Sequence, residues 1–140
     1  MYSAVELSKY IVTKCTQENC PISNLRLQKI LFYIQREYLK RGLPAFPDPI
    51  EAWQFGPVVP NVYYFFCGYG AMPVDMIFPS CKIDPSDAEI IDTIVESKRT
   101  LYPWDMVAET HKSDGAYDQT YRNGEGNHCV IKPELIVKYG

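Results

Sequence analysis

Along the N-terminal part of the chain, apolar positions repeat at intervals of three and four, the mark of helices with one buried face. Ala4, Leu7, Ile11 and Cys15 share such a face. Ser3-Ala4-Val5-Glu6 sets a serine cap and a glutamate where each can satisfy an orphan backbone N–H of the first turn. Pro21 closes the connection. Ser23 or Asn24 then caps a second helix, in which Leu27, Ile30, Leu31, Ile34 and Tyr38 form a longer stripe, and Gly42 and Pro44 stop it. Lys29, Arg36, Lys40 and Arg41 on this helix read as its solvated face.

The pattern changes at residues 43–50, LPAFPDPI, whose prolines predict an extended arm. Glu51 to Phe55 predicts a short strand, and Pro60 opens a third helix that runs to Gly68 or Gly70. In DPSDAEII, Asp84 is the cap of a fourth helix, Pro85 its first residue and Asp87 a favourable charge near the positive dipole end. Ile91, Ile94 and Val95 give that helix its buried face. A fifth helix, Pro103 to His111, is expected to place Trp104, Ala108 and His111 on one side. HKSDGAYDQTYRNGEGN reads as a polar loop broken by Gly115, Gly124 and Gly126, followed by Cys129-Val130-Ile131 as a strand and a last turn from Pro133 to Tyr139. With no repeat, low-complexity tract or linker, the expectation is a mainly α fold: a single compact helical domain, residues 1–140, of about five to six helices with a small β element.

At 140 residues the chain can bury a conventional core, and 46% hydrophobic with 22% charged residues argues against disordered or fibrous classes. Eleven tyrosines favour a protein with much half-buried, interfacial surface. The net charge of −3 argues against nucleic acid as a partner, since such binding depends on clustered Lys and Arg. No apolar run approaches the ~20 residues of a membrane span. MYSAVELSKY lacks a secretory pattern, so the expected location is the cytoplasm. The five cysteines are irregularly spaced without a CxxC pair, and a ligand set from Cys15, Cys20, Cys81, His128 and Cys129 would have to be gathered from across the fold. Reduced thiols are expected, and no metal or cofactor.

Candidate chemistry is sparse. GxGxxG and GxxxxGK[ST] are absent, and Gly124-Glu125-Gly126 carries an acid where an anion would sit. Cys129 could pair with His111 or His128, but neighbours on a strand point to opposite faces. In WDMVAETH, Asp105 and Glu109 share a helix face, whereas His111 is turned from Glu109 by about 200 degrees. His111 reads as the helix end, packed under Trp104.

The densest stretch is EAWQFGPVVPNVYYFF, residues 51–66. Gly56 permits close backbone approach or positive φ, and Pro57 and Pro60 freeze the exit. Trp53 and Phe55 are read as projecting to opposite faces of a strand, one ring anchoring the core and the other displayed. A rigid aromatic surface of that kind loses little entropy on binding, which suits recognition of proteins. The plainer alternative is that both rings are buried and the prolines merely turn the chain.

The run ISNLRLQKILFYIQREYL, then IEAWQFGPVVPNVY, then Glu109-Thr110-His111, resembles the Panacea domain, the SocA-like and phage GepA-like antitoxin family, from about Ser3 to Ile136. Leu25-Arg26-Leu27-Gln28-Lys29 and Ala52-Trp53-Gln54-Phe55-Gly56-Pro57-Val58-Val59-Pro60 are the specific elements. The resemblance implies a compact helical domain of bacteria and phages without a known catalytic centre. Its members neutralise unrelated toxins by binding, and one acts as a proteolytic adaptor. Tyr117 departs from the tryptophan expected after Thr-His, and the loop from Lys112 to Ala116 is longer than usual.

The resulting expectation is a protein-binding antitoxin-like module of bacterial or prophage origin, not an enzyme, whose partner is a toxin encoded next to it. The candidate partner-binding residues are Trp53, Phe55, Gly56, Pro57, Tyr63, Tyr64, His111 and Tyr117. The alternatives are a phage-encoded interaction protein without a cognate toxin and an enzyme using Glu109 and His111. DNA-binding regulation would rest on the helix carrying Arg26, Lys29 and Arg36, in an acidic context that opposes it.

Overall fold

A computed structural model describes residues 1–79 and 81–140. Helix α1 spans Ala4–Gln17, and the Ser3 hydroxyl accepts the Glu6 N–H at 3.1 Å, so the serine half of the expected cap is in place. Helix α2, Asn24–Lys40, is capped in the same way by Ser23. Ala4, Leu7, Ile11 and Cys15 of α1, and Leu27, Ile30, Leu31 and Ile34 of α2, are fully buried.

Burial does not stop at the stripe of α2. Helices α3 (Pro60–Phe65), α4 (Pro85–Lys98), α5 (Pro103–Thr110) and α7 (Pro133–Tyr139) and strand β2 (Gly56–Val58) pack against it together with α1. Gln28, Lys29, Phe32, Tyr33 and Gln35 are therefore buried as well. Lys29 does not belong to a solvated face with Arg36, Lys40 and Arg41, because a helix at the centre of a bundle has no wide solvent side.

The arm over residues 43–50 is held by Gln35, whose Oε1 accepts the Ala45 N–H at 2.8 Å and whose Nε2 donates to the Phe46 carbonyl at 2.9 Å. It leads into strand β1, Glu51–Trp53, which pairs antiparallel with β2 on one side and with β3, Cys129–Val130, on the other. The sheet order is β2-β1-β3.

Helix α3 is shorter than expected. It ends at Phe65 and hands over to a 3-10 turn at Cys67–Tyr69, with Gly70 at positive φ. On α4, Ile91 and Val95 are fully buried and Ile94 packs against their edge. Asp87 accepts hydroxyl bonds from Tyr2 and Tyr38, each 2.6 Å, which hold its carboxyl below the usual range.

Two expectations fail in the C-terminal half. The buried face of α5 is Met106 and Thr110, while Trp104 is 73% exposed. The polar loop contains a helix, α6 (Ala116–Tyr121), whose Ala116 and Tyr117 reach the core. The mainly α fold with a small sheet is as expected, with seven α-helices among the described residues.

Candidate protein-binding face

The pairing of Trp53 with Gly56 makes Gln54 and Phe55 the two-residue turn of the β1–β2 hairpin. Trp53 and Phe55 are thus not opposite faces of one strand. Residues two apart on a strand share a face in any case, and the strand ends before Phe55. Phe55 stands at the hairpin tip, 50% exposed. Gly56 fulfils both roles foreseen for it: its φ is +122°, and a Cβ there would lie 2.4 Å from Lys29 Nζ and 2.8 Å from Lys29 Cε.

Beneath the hairpin, polar groups hold its backbone fast. The Val59 N–H donates to Gln28 Oε1 at 2.8 Å, Gln28 Nε2 donates to Asn24 Oδ1 at 2.9 Å, and Asn24 Nδ2 donates to the Tyr63 carbonyl at 3.0 Å. This ladder fixes the hairpin exit and the start of α3 to one face of α2. From the other side, the Tyr117 hydroxyl donates to the carbonyls of Trp53 and Gln54. Burial pushes the pKa of that hydroxyl up, so it stays a donor.

Above this support lies an aromatic layer. The Trp53 ring is half-buried, meets Tyr63 edge-on at 5.0 Å and Tyr64 at 6.1 Å, and stacks on His128 at 4.4 Å with ring planes 6° apart. Its indole N–H donates to Glu51 Oε1 at 3.0 Å. Tyr64 is 61% exposed. His128 is held out of β3 by a left-handed backbone, φ +68°, while its N–H donates to the Ala52 carbonyl at 2.7 Å.

The eight candidate residues therefore separate by depth. Trp53, Phe55, Tyr63 and Tyr64 come together at the surface; Gly56 and Pro57 are buried directly below and stiffen it. Tyr117 is only 2% exposed, so it belongs to the support and not to the surface. His111 caps α5, but its ring lies on Tyr117 at 4.2 Å and not under Trp104. Burial, and then the Lys29 charge, hold its pKa below the ordinary histidine value. Glu109 faces elsewhere, bound to Lys98 at 3.0 Å and to the Tyr33 hydroxyl at 3.1 Å, so the structure gives the Glu109–His111 pair no shared site. No three His, Cys, Asp or Glu side chains converge as a metal site would require among the described residues.

Two residues named in the sequence reading were not assigned to this region. Nothing periodic marks His128. Lys29 had a signal, since it ends the Leu25–Lys29 segment, yet a lysine on a helix reads as solvated unless its neighbours are known. It is 1% exposed, and its Nζ has no hydrogen-bond partner among the described residues. Loss of water pushes its pKa down to about 7. It borders a pocket of about 450 Å³ between α2, the hairpin and Asn127-His128.

The model of the SocA-like antitoxin family, Panacea domain, matches residues 27–116, which takes in the hairpin, α3 and the buried face of α2. The chain belongs to that family. It is also similar to the antitoxin SocA of Caulobacter vibrioides (strain NA1000 / CB15N), 31% identical over an alignment covering 94% of this chain and 77% of the relative. No solved structure matches it. Membership in the SocA-like family supports an antitoxin-like role and, in general terms, a protein partner. No described helix is long and apolar enough to cross a membrane.

Proposed function

We propose that this domain neutralises a toxin by binding it directly through the face formed by Trp53, Phe55, Tyr63 and Tyr64. The observation that carries the reading is the display of Phe55 at the tip of a hairpin whose backbone is clamped from both sides, beside the exposed Tyr64 of α3. Aromatic side chains on a rigid support lose little freedom on association, and large rings of this kind are the usual anchors of interfaces. Gly56 and Pro57 serve recognition indirectly, by fixing the hairpin, and His111 with Tyr117 by underpinning it. The domain acts as one unit in the bacterial or prophage-bearing cytoplasm, against a toxin encoded beside it.

Co-expression with the neighbouring gene product tests this. Parent protein should restore growth and co-purify with the toxin, and a folded Phe55→Ala should do neither at equal expression. An adaptor role, in which the bound toxin is passed to a protease, uses the same face plus a second surface. A protease-deficient host separates the two, because direct neutralisation keeps its rescue there. If the neighbouring product is harmless and unbound, the chain is an interaction protein without a cognate toxin.

A further inference from the structure

We propose that Cys15 and Cys20 form a dithiol site that reacts with a low-molecular-weight disulfide of the glutathione type and closes to an intramolecular disulfide. The backbone builds the site. Helix α1 ends in a left-handed residue, Asn19 with φ +58°, where the Cys20 N–H donates to the Cys15 carbonyl at 2.8 Å and the Asn19 N–H to the Thr16 carbonyl at 3.1 Å. This nested pair of bonds is the Schellman ending, in which the outermost two side chains, here Cys15 and Cys20, pack on each other across the turn. With ordinary backbone dimensions at either end, the 2.8 Å bond keeps the two Cα atoms within about 6.7 Å, inside the ~4.4–6.8 Å span that a disulfide bridges.

The surrounding charges agree with that placement. The Arg26 guanidinium lies within charge reach of both thiols, which sets them on one side of the turn, and Arg99 lies beside Cys15. The two thiols differ in access. Cys15 is fully enclosed, and burial pushes its thiol up against the opposing pull of Arg99. Cys20 is partly exposed and is the sulfur that an outside reagent reaches first.

The reaction is two thiol–disulfide exchanges. Cys20 loses its proton to solvent and attacks one sulfur of the glutathione disulfide; a Cys20–glutathione bond forms, the reagent's S–S bond breaks and one glutathione thiolate leaves. The Cys15 thiol then gives up its proton and attacks Cys20 Sγ, which expels the second glutathione. Two protein thiols are oxidised and one glutathione disulfide is reduced to two thiols. The arginines favour each attacking thiolate, and the turn holds the second nucleophile against the first. A pair serving only as apolar filler at the helix end would stay reduced.

The test incubates the full chain with oxidised and reduced glutathione at set ratios, quenches with acid, alkylates, and digests with trypsin, which releases residues 15–26 as one peptide by cutting after Lys14 and Arg26. In the parent that peptide should emerge two hydrogens lighter than its reduced form and without glutathione. Its equilibrium constant against glutathione should be at least tenfold larger for the folded chain than in urea, because the turn is held only in the first. Cys15→Ala, shown to be folded by its melting, should stop in excess oxidised glutathione with the adduct on Cys20. The proposal is overturned by a parent peptide that stays reduced, by an adduct that persists on Cys20 of the parent, by equal constants for the folded and urea-unfolded chains, or by an unmodified Cys20 in Cys15→Ala. Should Cys15→Ala not fold, Cys20→Ser takes its place: Cys15 must stay reduced there, and an adduct on it would make the buried thiol the entry point and overturn the assignment.

Discussion

Replacing Lys29 by methionine keeps an unbranched side chain one heavy atom shorter and removes its charge, so it tests what an unpaired buried ammonium does to stability. In the folded protein this group titrates at about 7 against an ordinary value of 10.5. At 1.36 kcal/mol per unit, that depression corresponds to a penalty of roughly 5 kcal/mol on the protonated form. The sign follows from proton counting. Between the two values the unfolded chain holds a proton that the folded one has lost, so stability is highest above pH 10.5 and falls as pH drops toward 7. Below 7 both states are protonated and the loss is complete. Between pH 9 and pH 7 the parent should lose about 2 kcal/mol through this group. His111, the titratable side chain facing Lys29 from α5, is held below the ordinary histidine value and titrates outside that window. Tyr117, under the hairpin, is pushed up and out of it at the other end. Urea denaturation of parent and Lys29→Met at the two pH values supplies the comparison. The variant should lack the parent's slope, and its advantage should be larger at pH 7. Parallel profiles would show that Lys29 is hydrated or paired in solution, and the reasoning built on its isolation would fall.

Leu31 is fully buried at the centre of α2, so Leu31→Ala should destabilise by ~2–5 kcal/mol in thermal or chemical melts; an unchanged melt would mean that α2 is misplaced. Gln28→Ala leaves the Val59 N–H without its acceptor and should cost about 1–3 kcal/mol, with faster hydrogen exchange at that amide as the local sign. Gly56→Ala should destabilise by about 1–3 kcal/mol through its positive φ and its clash with Lys29. A Gly56→Ala/Lys29→Ala double variant should recover the steric part and leave the backbone part, which a double-mutant cycle reads as coupling.

The sequence was most legible where local signals and tertiary need agreed. Ser3 and Ser23 cap α1 and α2 where the serines stand, and the stripe through Leu27, Ile30, Leu31 and Ile34 is fully buried in the core. Helix α5 shows where periodicity runs out. In a helix of eight residues, Trp104–Ala108 and Met106–Thr110 are equally good faces, and the packing of α5 against α2 and β2, with Arg26 bound to the Leu101 carbonyl and the Met106 sulfur, selects the second. AYDQTY carried no helical stripe at all. It folds as α6 because Tyr117, whose ring stacks on Tyr121 one turn on, reaches the hairpin carbonyls, a contact between residues far apart in sequence. The candidate surface was half legible. Trp53, Phe55, Tyr63 and Tyr64 announce themselves by composition, whereas the burial of Lys29 and Tyr117 depends on which elements surround them.

Titration calorimetry of the purified protein with the neighbouring gene product tests the central claim most directly, taking parent against a Phe55→Ala/Tyr64→Ala variant whose melting is unchanged. Loss of these two exposed rings should weaken binding by ~2 kcal/mol or more, at least a thirtyfold rise in Kd, while stability stays within ~0.5 kcal/mol of the parent. Equal affinity for parent and variant would contradict the account and move the binding surface away from the hairpin.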